Sequence, residues 1–403
     1  MKQFFLDGAS NTPLDHRVLR AMLPYMREGF VGNSSSVHDF GINALNAVNT
    51  AREQVAQCVG TTSENVFFTS GATESNNWVI MSLALRELTA GSARRHIVCS
   101  SIEHSSVLRP CQALTALGFN VTFVDPSPSS GQIRSEDIRA ALRSDTFLVC
   151  VMAVNNETGV ANPINEISEV LQHKTTFFLV DCTQLMGCGG PYVNLHKWYP
   201  YVDYFTFSAH KFYGPTGVGC LITGNHEAAS ALPPLIRGGD QEHALRGGTT
   251  NTAGIVGLAK ALQLAASDNR GEGYRAHNAD LFMYLVSMLK LEGITFKINA
   301  ISTYRNIVSL NFSSEISVPN LAAQYAARGV AVSAGSACDS AHSDIGEFNP
   351  SHVLKALGLE ERDIRNTVRV SFTKYTTKSD IDAFVKATKE IIKEENTHYE
   401  DRN

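Results

Sequence analysis

The feature that most constrains this chain is a series of short runs that are apolar throughout, separated by segments of helical length. Val66-Phe67-Phe68-Thr69, Ile97-Val98-Cys99, Val121 to Val124, Phe147 to Val154, Phe177 to Val180, Tyr204 to Phe207 and Cys220-Leu221-Ile222 make up the series. A strand with water on one face alternates apolar and polar residues. These do not, so both faces of their sheet are covered, as in parallel sheets whose crossover helices lie above and below. Between the runs, Ala44, Ala47, Val48, Ala51, Val55 and Val59 recur at helical spacing, and helices are predicted over 14–26, 43–59, 74–85, 105–117 and 165–172. The body of the chain is therefore α/β.

From about residue 265 the pattern changes. A loop-like stretch, Asp268-Asn269-Arg270-Gly271, precedes a long helix from Tyr274 to Leu291; Ile307 to Phe312 alternates like a half-exposed strand. A helix over 322–328, a short strand over 369–372 and an amphipathic helix over 380–394 complete a smaller α+β unit without internal repeats. A length of 403 residues suits two domains. A formal net charge of −5 argues against nucleic-acid binding as the main activity. The N-terminal stretch meets Asp7 too early for a signal peptide, and no apolar run approaches the roughly 18 residues of a membrane-spanning helix. The 8 cysteines form no C-x-x-C pair, which disfavours a zinc site or a disulfide framework and points to a reducing cytoplasm.

In a parallel sheet, ligands bind beyond the carboxyl ends of the strands, so the polar residues after each run are the candidates. Ser70-Gly71-Ala72-Thr73 opens a helix and offers backbone N–H groups and a hydroxyl to a phosphate, or is a plain N-cap. His104 is either a hydrogen-bonded structural ring or a surface for a planar ligand. Asp181 ends a very apolar run and needs a cationic partner, which an arginine or a protonated heteroaromatic nitrogen supplies. Lys211, in Ser208-Ala209-His210-Lys211-Phe212-Tyr213-Gly214-Pro215, sits at a strand end; desolvation there would make its amine a good imine former. Arg369 can clamp a carboxylate or lie on the surface. Cys338, in Ser333-Ala334-Gly335-Ser336-Ala337-Cys338-Asp339-Ser340, is either a nucleophile in a polar loop or an idle thiol.

Taken together, Thr-Ser-Gly-Ala-Thr-Glu-Ser-Asn, Glu-His, Asn-Asn-Glu-Thr-Gly, Ser-x-His-Lys, Arg-Gly-Gly-Thr and Gly-Ser-Ala-Cys, in this order over nearly the whole chain, resemble the cysteine desulfurases. These are pyridoxal-phosphate enzymes of the class V aminotransferase group. The resemblance implies fold type I: a mostly parallel, seven-stranded-type sheet in a large cofactor-binding domain (14–262), and a smaller α+β domain (1–13 plus 263–403) carrying the catalytic cysteine loop. It implies that Lys211 carries pyridoxal 5′-phosphate as an imine and moves protons, that Asp181 pairs with the ring nitrogen, that Gln184 bonds the phenolic oxygen and that His104 stacks on the ring. Thr73, Ser208 and His210 would hold the phosphate, with Thr249 supplied by the partner subunit of a homodimer, and Ala72 would also bind the cofactor. Asn33, Arg369 and Asn156, the last also binding the cofactor, would place L-cysteine. Cys338 would take its sulfur as a persulfide for a sulfur-acceptor protein in iron–sulfur assembly, tRNA thiolation or DNA sulfur modification, leaving alanine. No metal, membrane or direct nucleic-acid partner is implied.

The chain departs from the family pattern at Ala9-Ser10-Asn11, Asn33-Ser34, Gly238 to His243 and Asp339, whose charge opposes formation of the neighbouring thiolate. These departures leave the reaction class and open the choice of pathway. A selenocysteine lyase, another C–S lyase of the same fold, and a non-catalytic scaffold are the competing readings.

Overall fold

The computed structural model describes residues 2–172, 175–187, 195–267, 270–312, 316, 320–334 and 350–400. Seven strands build the main sheet: β2 (Val66–Thr69), β3 (His96–Ser100), β4 (Asn120–Val124), β5 (Thr146–Cys150), β6 (Phe177–Asp181), β7 (Tyr204–Ser208) and β8 (Gly219–Thr223), in the order β2-β8-β7-β6-β5-β3-β4. All pairs are parallel except β8, which runs antiparallel to both β2 and β7. Every residue of β2, β3, β5, β6, β7 and β8 is buried, as continuous apolar runs require.

Helices cover both faces. α1 (His16–Met22) and α2 (Asp39–Val59) border one core, in which Val18, Val48, Val55, Phe68, Val149, Val180 and Phe207 meet. α3 (Ala72–Thr89) and α4 (Ser105–Leu114) border the other, with Phe67, Trp78, Leu83, Cys99, Leu148 and Tyr204. The α2 side chains Ala44, Val48, Ala51, Val55 and Val59 lie on its buried face, and Gly60 ends it in the left-handed conformation (φ 77°) that a side chain would oppose. The first helix is shorter than its sequence suggests. Pro24 cannot donate within a continuing helix, and 3₁₀ geometry takes over at Leu23–Tyr25.

The remaining strands are short or local: β1 (Phe4–Phe5) pairs in parallel with β11 (Val330–Ala331), and β10 (Ile307–Asn311) lies between β9 (Lys297–Ile298) and β12 (Thr367–Ser371) in an antiparallel sheet. The alternation read over 307–312 misleads here. β10 is the central strand of its sheet and buried at every residue, with Ser309 and Asn311 hydrogen-bonded internally. The long helix begins at Arg270 rather than Tyr274. Leu6, Leu285, Leu310, Phe312, Tyr325, Val370 and Phe384 form a separate core, in which the Tyr325 and Phe384 rings stack at 4.8 Å. Val353, Leu354, Leu357 and Ile364 instead pack into the core of the main sheet. No helix of the described residues is long and apolar enough to cross a membrane.

Candidate active site

At the carboxyl ends of β6 and β7 the main sheet opens on a cavity of about 200 Å3. Its walls include Ala72, Thr73, His104, Asn156, Asp181, Gln184, Ser208, His210, Lys211 and Arg369, which are ten of the positions singled out from the sequence. Ser10, read from the sequence only as a departure from the family pattern, and Thr183, one of the polar residues after the β6 run, line it too, as do Ser106 and Met152, which were not singled out. Asp7, likewise missed, orients one of the ten.

Asp181 is 5% exposed, yet its carboxylate has only neutral donors: Asn76 Nδ2 at 2.8 Å on one oxygen and the Thr183 backbone N–H at 2.8 Å on the other. The arginine that would satisfy it as a plain ion pair is not there among the described residues. Its negative charge is thus oriented but not neutralised. Thr183 Oγ1 beside it is buried with no hydrogen-bond partner among the described residues.

His104 caps α4: its Nδ1 accepts from the Ser106 N–H at 3.1 Å and lies 2.8 Å from Ser106 Oγ. An accepting Nδ1 puts the proton of the neutral ring on Nε2. The preceding residue, Glu103, is buried, and burial pushes its carboxyl up to about 8, with the Asp181 charge adding to the rise and bonds from Ser100 Oγ and the Met152 N–H opposing it.

The start of α3 and the end of β7 meet at one wall. Ser208 Oγ accepts the Ala72 N–H at 2.8 Å. The next N–H groups of α3 have no intrahelical acceptor and sit at its positive end. Glu74 in that first turn would repel an anion, but Arg246 pairs with it bidentately at 2.7 and 3.0 Å. His210 Nδ1 lies 3.0 Å from Asn11 Oδ1; burial, then the adjacent Lys211 charge, lowers its pKa to about 4, so the ring is neutral at neutral pH. Lys211 Nζ, half-buried, donates to the carbonyls of Ala9 (2.6 Å) and Ser10 (2.7 Å), while Gln184 Nε2 donates to Ala9 O at 2.9 Å. The sharp entry at residues 9–11 thus supplies acceptors to three site residues.

Arg369 is 2% exposed. Nη1 donates to Asn156 O at 2.8 Å, and Nη2 to Asp7 Oδ1 at 2.9 Å and Ser10 Oγ at 2.6 Å; buried Nε has no acceptor among the described residues.

Two singled-out residues lie elsewhere. Thr249 lines a separate cavity with Ser70, Arg246 and Gly248, and Asn33 sits in an exposed turn, where its Oδ1 accepts the Ser35 N–H. Gln241 joins the two, donating to Ser35 Oγ and accepting the Gly248 N–H. Cys338 and Asp339 lie outside the described residues.

With this geometry in view, comparison with known proteins is informative. The model of the family described as "Aminotransferase class-V" matches residues 4–384. The chain belongs to that family. A cysteine desulfurase IscS of Dictyoglomus turgidum is 36% identical over 97% of this chain and 95% of its own length. A mitochondrial cysteine desulfurase of Arthroderma benhamiae is 37% identical over 97% of this chain and 75% of its own. Among solved structures, a NifS-like protein superposes with a TM-score of 0.85 at 33% identity, covering 97% of this chain and 99% of that one. Within the class-V family, this chain is a cysteine desulfurase by its relatives as well as by its motifs.

Proposed function

We propose that this chain is a cytoplasmic, homodimeric cysteine desulfurase that uses pyridoxal 5′-phosphate, makes alanine from L-cysteine and loads the removed sulfur on Cys338 for a sulfur-acceptor protein. The observation that carries the reading is the buried Asp181 carboxylate, held by two neutral donors in the same cavity as Lys211. Burying an uncompensated carboxylate is costly, and a protonated ring nitrogen is the cation that a cavity of this shape would take. The open N–H groups at the start of α3, with Thr73, Ser208 and His210 around them, suit a phosphate. Another neighbour in fold, SspA solved in complex with cysteine, is 32% identical with a TM-score of 0.75 and supports cysteine as substrate.

When bound, pyridoxal phosphate supplies an electron sink for charge developing at the substrate Cα. Asp181 keeps the ring nitrogen protonated, His104 offers a flat face to the ring, and Gln184 donates to the phenolic oxygen. Lys211 holds and returns protons at the substrate Cα. Arg369, fixed by Asp7 and Asn156 O, receives the substrate carboxylate with Asn156 beside it. The Cys338 thiolate attacks the substrate sulfur, the C–S bond breaks, and alanine leaves with Cys338 as persulfide, so sulfur and protons balance without an external oxidant. Residues 14–262 would make up the cofactor-binding domain and 1–13 plus 263–403 the domain that carries Cys338, with the 353–364 segment packed against the core of the main sheet. Thr249 and Asn33, both outside the cavity, serve the site of the second subunit.

The test is incubation with L-cysteine under non-reducing conditions followed by mass spectrometry. One added sulfur on Cys338, absent in Cys338→Ala, is expected. Sulfur transfer retained in Cys338→Ala would overturn the persulfide route, and a colourless protein unchanged by Lys211→Ala would overturn the cofactor assignment.

A further inference from the structure

Asn76 lies on α3 beneath the cavity, 0% exposed, and does not line it. A buried amide is tolerated where its donors and acceptor are all bonded. Here they are, and each bond goes to a different element. One Nδ2 hydrogen goes to Asp181 Oδ2 at the end of β6 (2.8 Å), the other to Ser106 Oγ at the start of α4 (3.0 Å). Oδ1 accepts from Thr206 Oγ1 of β7 at 2.6 Å. The carboxylate, which can only accept, fixes the sense of the amide: its nitrogen must face Asp181, so its oxygen faces β7 and takes the Thr206 hydroxyl proton. Ser106 Oγ, already accepting from Asn76, lies 2.8 Å from His104 Nδ1 and has its own proton to give there.

The neighbours of Asn76 on this helix, Val79, Ile80 and Leu83, show that apolar packing alone satisfies the same face against the sheet. A leucine of similar size would fill the position without needing three partners. An arginine or lysine would orient Asp181 as well, but would cancel its charge. A neutral, two-handed donor does what neither alternative does: it fixes the carboxylate and leaves it anionic.

We propose that Asn76 is a positioning residue for the cofactor, aiming the charged Asp181 carboxylate at the ring nitrogen and tying it, through Ser106, to the His104 ring. The proposal rests on the reading of Asp181 given above. It adds a residue that touches neither cofactor nor substrate, and a path Thr206–Asn76–Asp181 with a branch to Ser106 and His104.

The experiment compares equilibrium binding of two probes to the cofactor-free full chain: pyridoxal 5′-phosphate, and its analogue with C–H in place of the ring nitrogen. A bond to a charged acceptor justifies an expected preference of at least about tenfold for the nitrogen-bearing probe in the wild type. Asn76→Leu is expected to bring that ratio down by about tenfold while leaving affinity for the carbon analogue within about threefold. A merely structural role would weaken both probes alike, so an unchanged ratio overturns the proposal. Thr206→Val, which removes only the bond that holds the amide oxygen, is expected to lower the ratio in the same direction by less. It decides the matter if Asn76→Leu does not fold, an unchanged ratio again overturning the proposal. A wild type that binds both probes equally removes the Asp181 reading itself, and the proposal falls with it.

Discussion

His210 gives the site a pH signature of its own. In the cofactor-free protein its ring is neutral down to about pH 4, because burial and the Lys211 charge disfavour the imidazolium, whereas an unfolded histidine titrates near its ordinary 6.5. The folded value is the lower one, so the unfolded chain binds the proton first as pH falls. This group is without effect above about pH 7, and costs folded stability progressively as pH drops from 6.5 towards 4. At pH 5 the imbalance amounts to about 2 kcal/mol, or nearer 1 after allowing for the ring's remaining exposure. The measurement is the unfolding midpoint in urea for wild type and His210→Gln at pH 7.5 and pH 5. The variant is expected to lose about 1–2 kcal/mol less than wild type on acidification. A phosphate group beside the ring favours the imidazolium, so saturating pyridoxal phosphate should abolish the difference. Parallel pH dependence of wild type and variant, or a His210 proton resonance that titrates near 6.5, would refute the reasoning.

Other perturbations follow from the same geometry. The buried pair Arg52–Glu242, at 2.6 and 2.8 Å, also binds Val66 O and the Phe68 N–H, and it holds a turn in which Glu242, His243 and Ala244 all have positive φ. Arg52→Met should cost about 3–5 kcal/mol in urea unfolding by stranding Glu242, and Arg52→Met/Glu242→Leu should cost less than the single variant. Arg369→Lys should lower kcat/KM for cysteine by about a hundredfold, chiefly through KM, because an ammonium cannot reach Asp7, Ser10 and Asn156 O together; steady-state kinetics decides.

The main sheet was legible because runs such as Phe177-Phe178-Leu179-Val180 are apolar on both faces, a pattern with few other uses in a chain of this charge. Strand ends then pointed to Asp181, Ser208 and Lys211 by position alone. The roles of Asp7, Asn76 and Ser106 were not legible for the opposite reason. Each works through a partner far along the chain, Asp7 with Arg369, Asn76 with Asp181 and Thr206, and Ser106 with Asn76, while locally they read as an entry turn, a helix interior and a helix start. The half-exposed reading of β10 failed similarly: Ser309 and Asn311 look solvent-facing until Asn299 and the Asp363 carbonyl supply their hydrogen bonds.

The two walls of the proposed phosphate corner come from residues 70–73 and 208–211, and their approach depends on Gly219. It pairs with Thr69 on one side and Ser208 on the other, in the strand that runs against both neighbours. A Cβ at this position would stand 2.6 Å from Gly71 Cα and 2.6 Å from Phe207 O, both backbone atoms that cannot rotate away. Gly219→Ala must therefore push the Gly71 turn off the sheet, stretching the 2.8 Å bond from the Ala72 N–H to Ser208 Oγ and moving the positive end of α3. Overpacking of this kind costs about 1–3 kcal/mol, and it falls on the corner rather than on the cavity floor at Asp181. Pyridoxal phosphate should bind about tenfold or more weakly to Gly219→Ala, whereas pyridoxal without its phosphate should lose much less. Gly273→Ala, where a Cβ meets nothing within 4 Å, serves as the control. Equal losses for the two ligands would mean that Gly219 supports the sheet in general, and that the approach of the two glycines does not build the anion site.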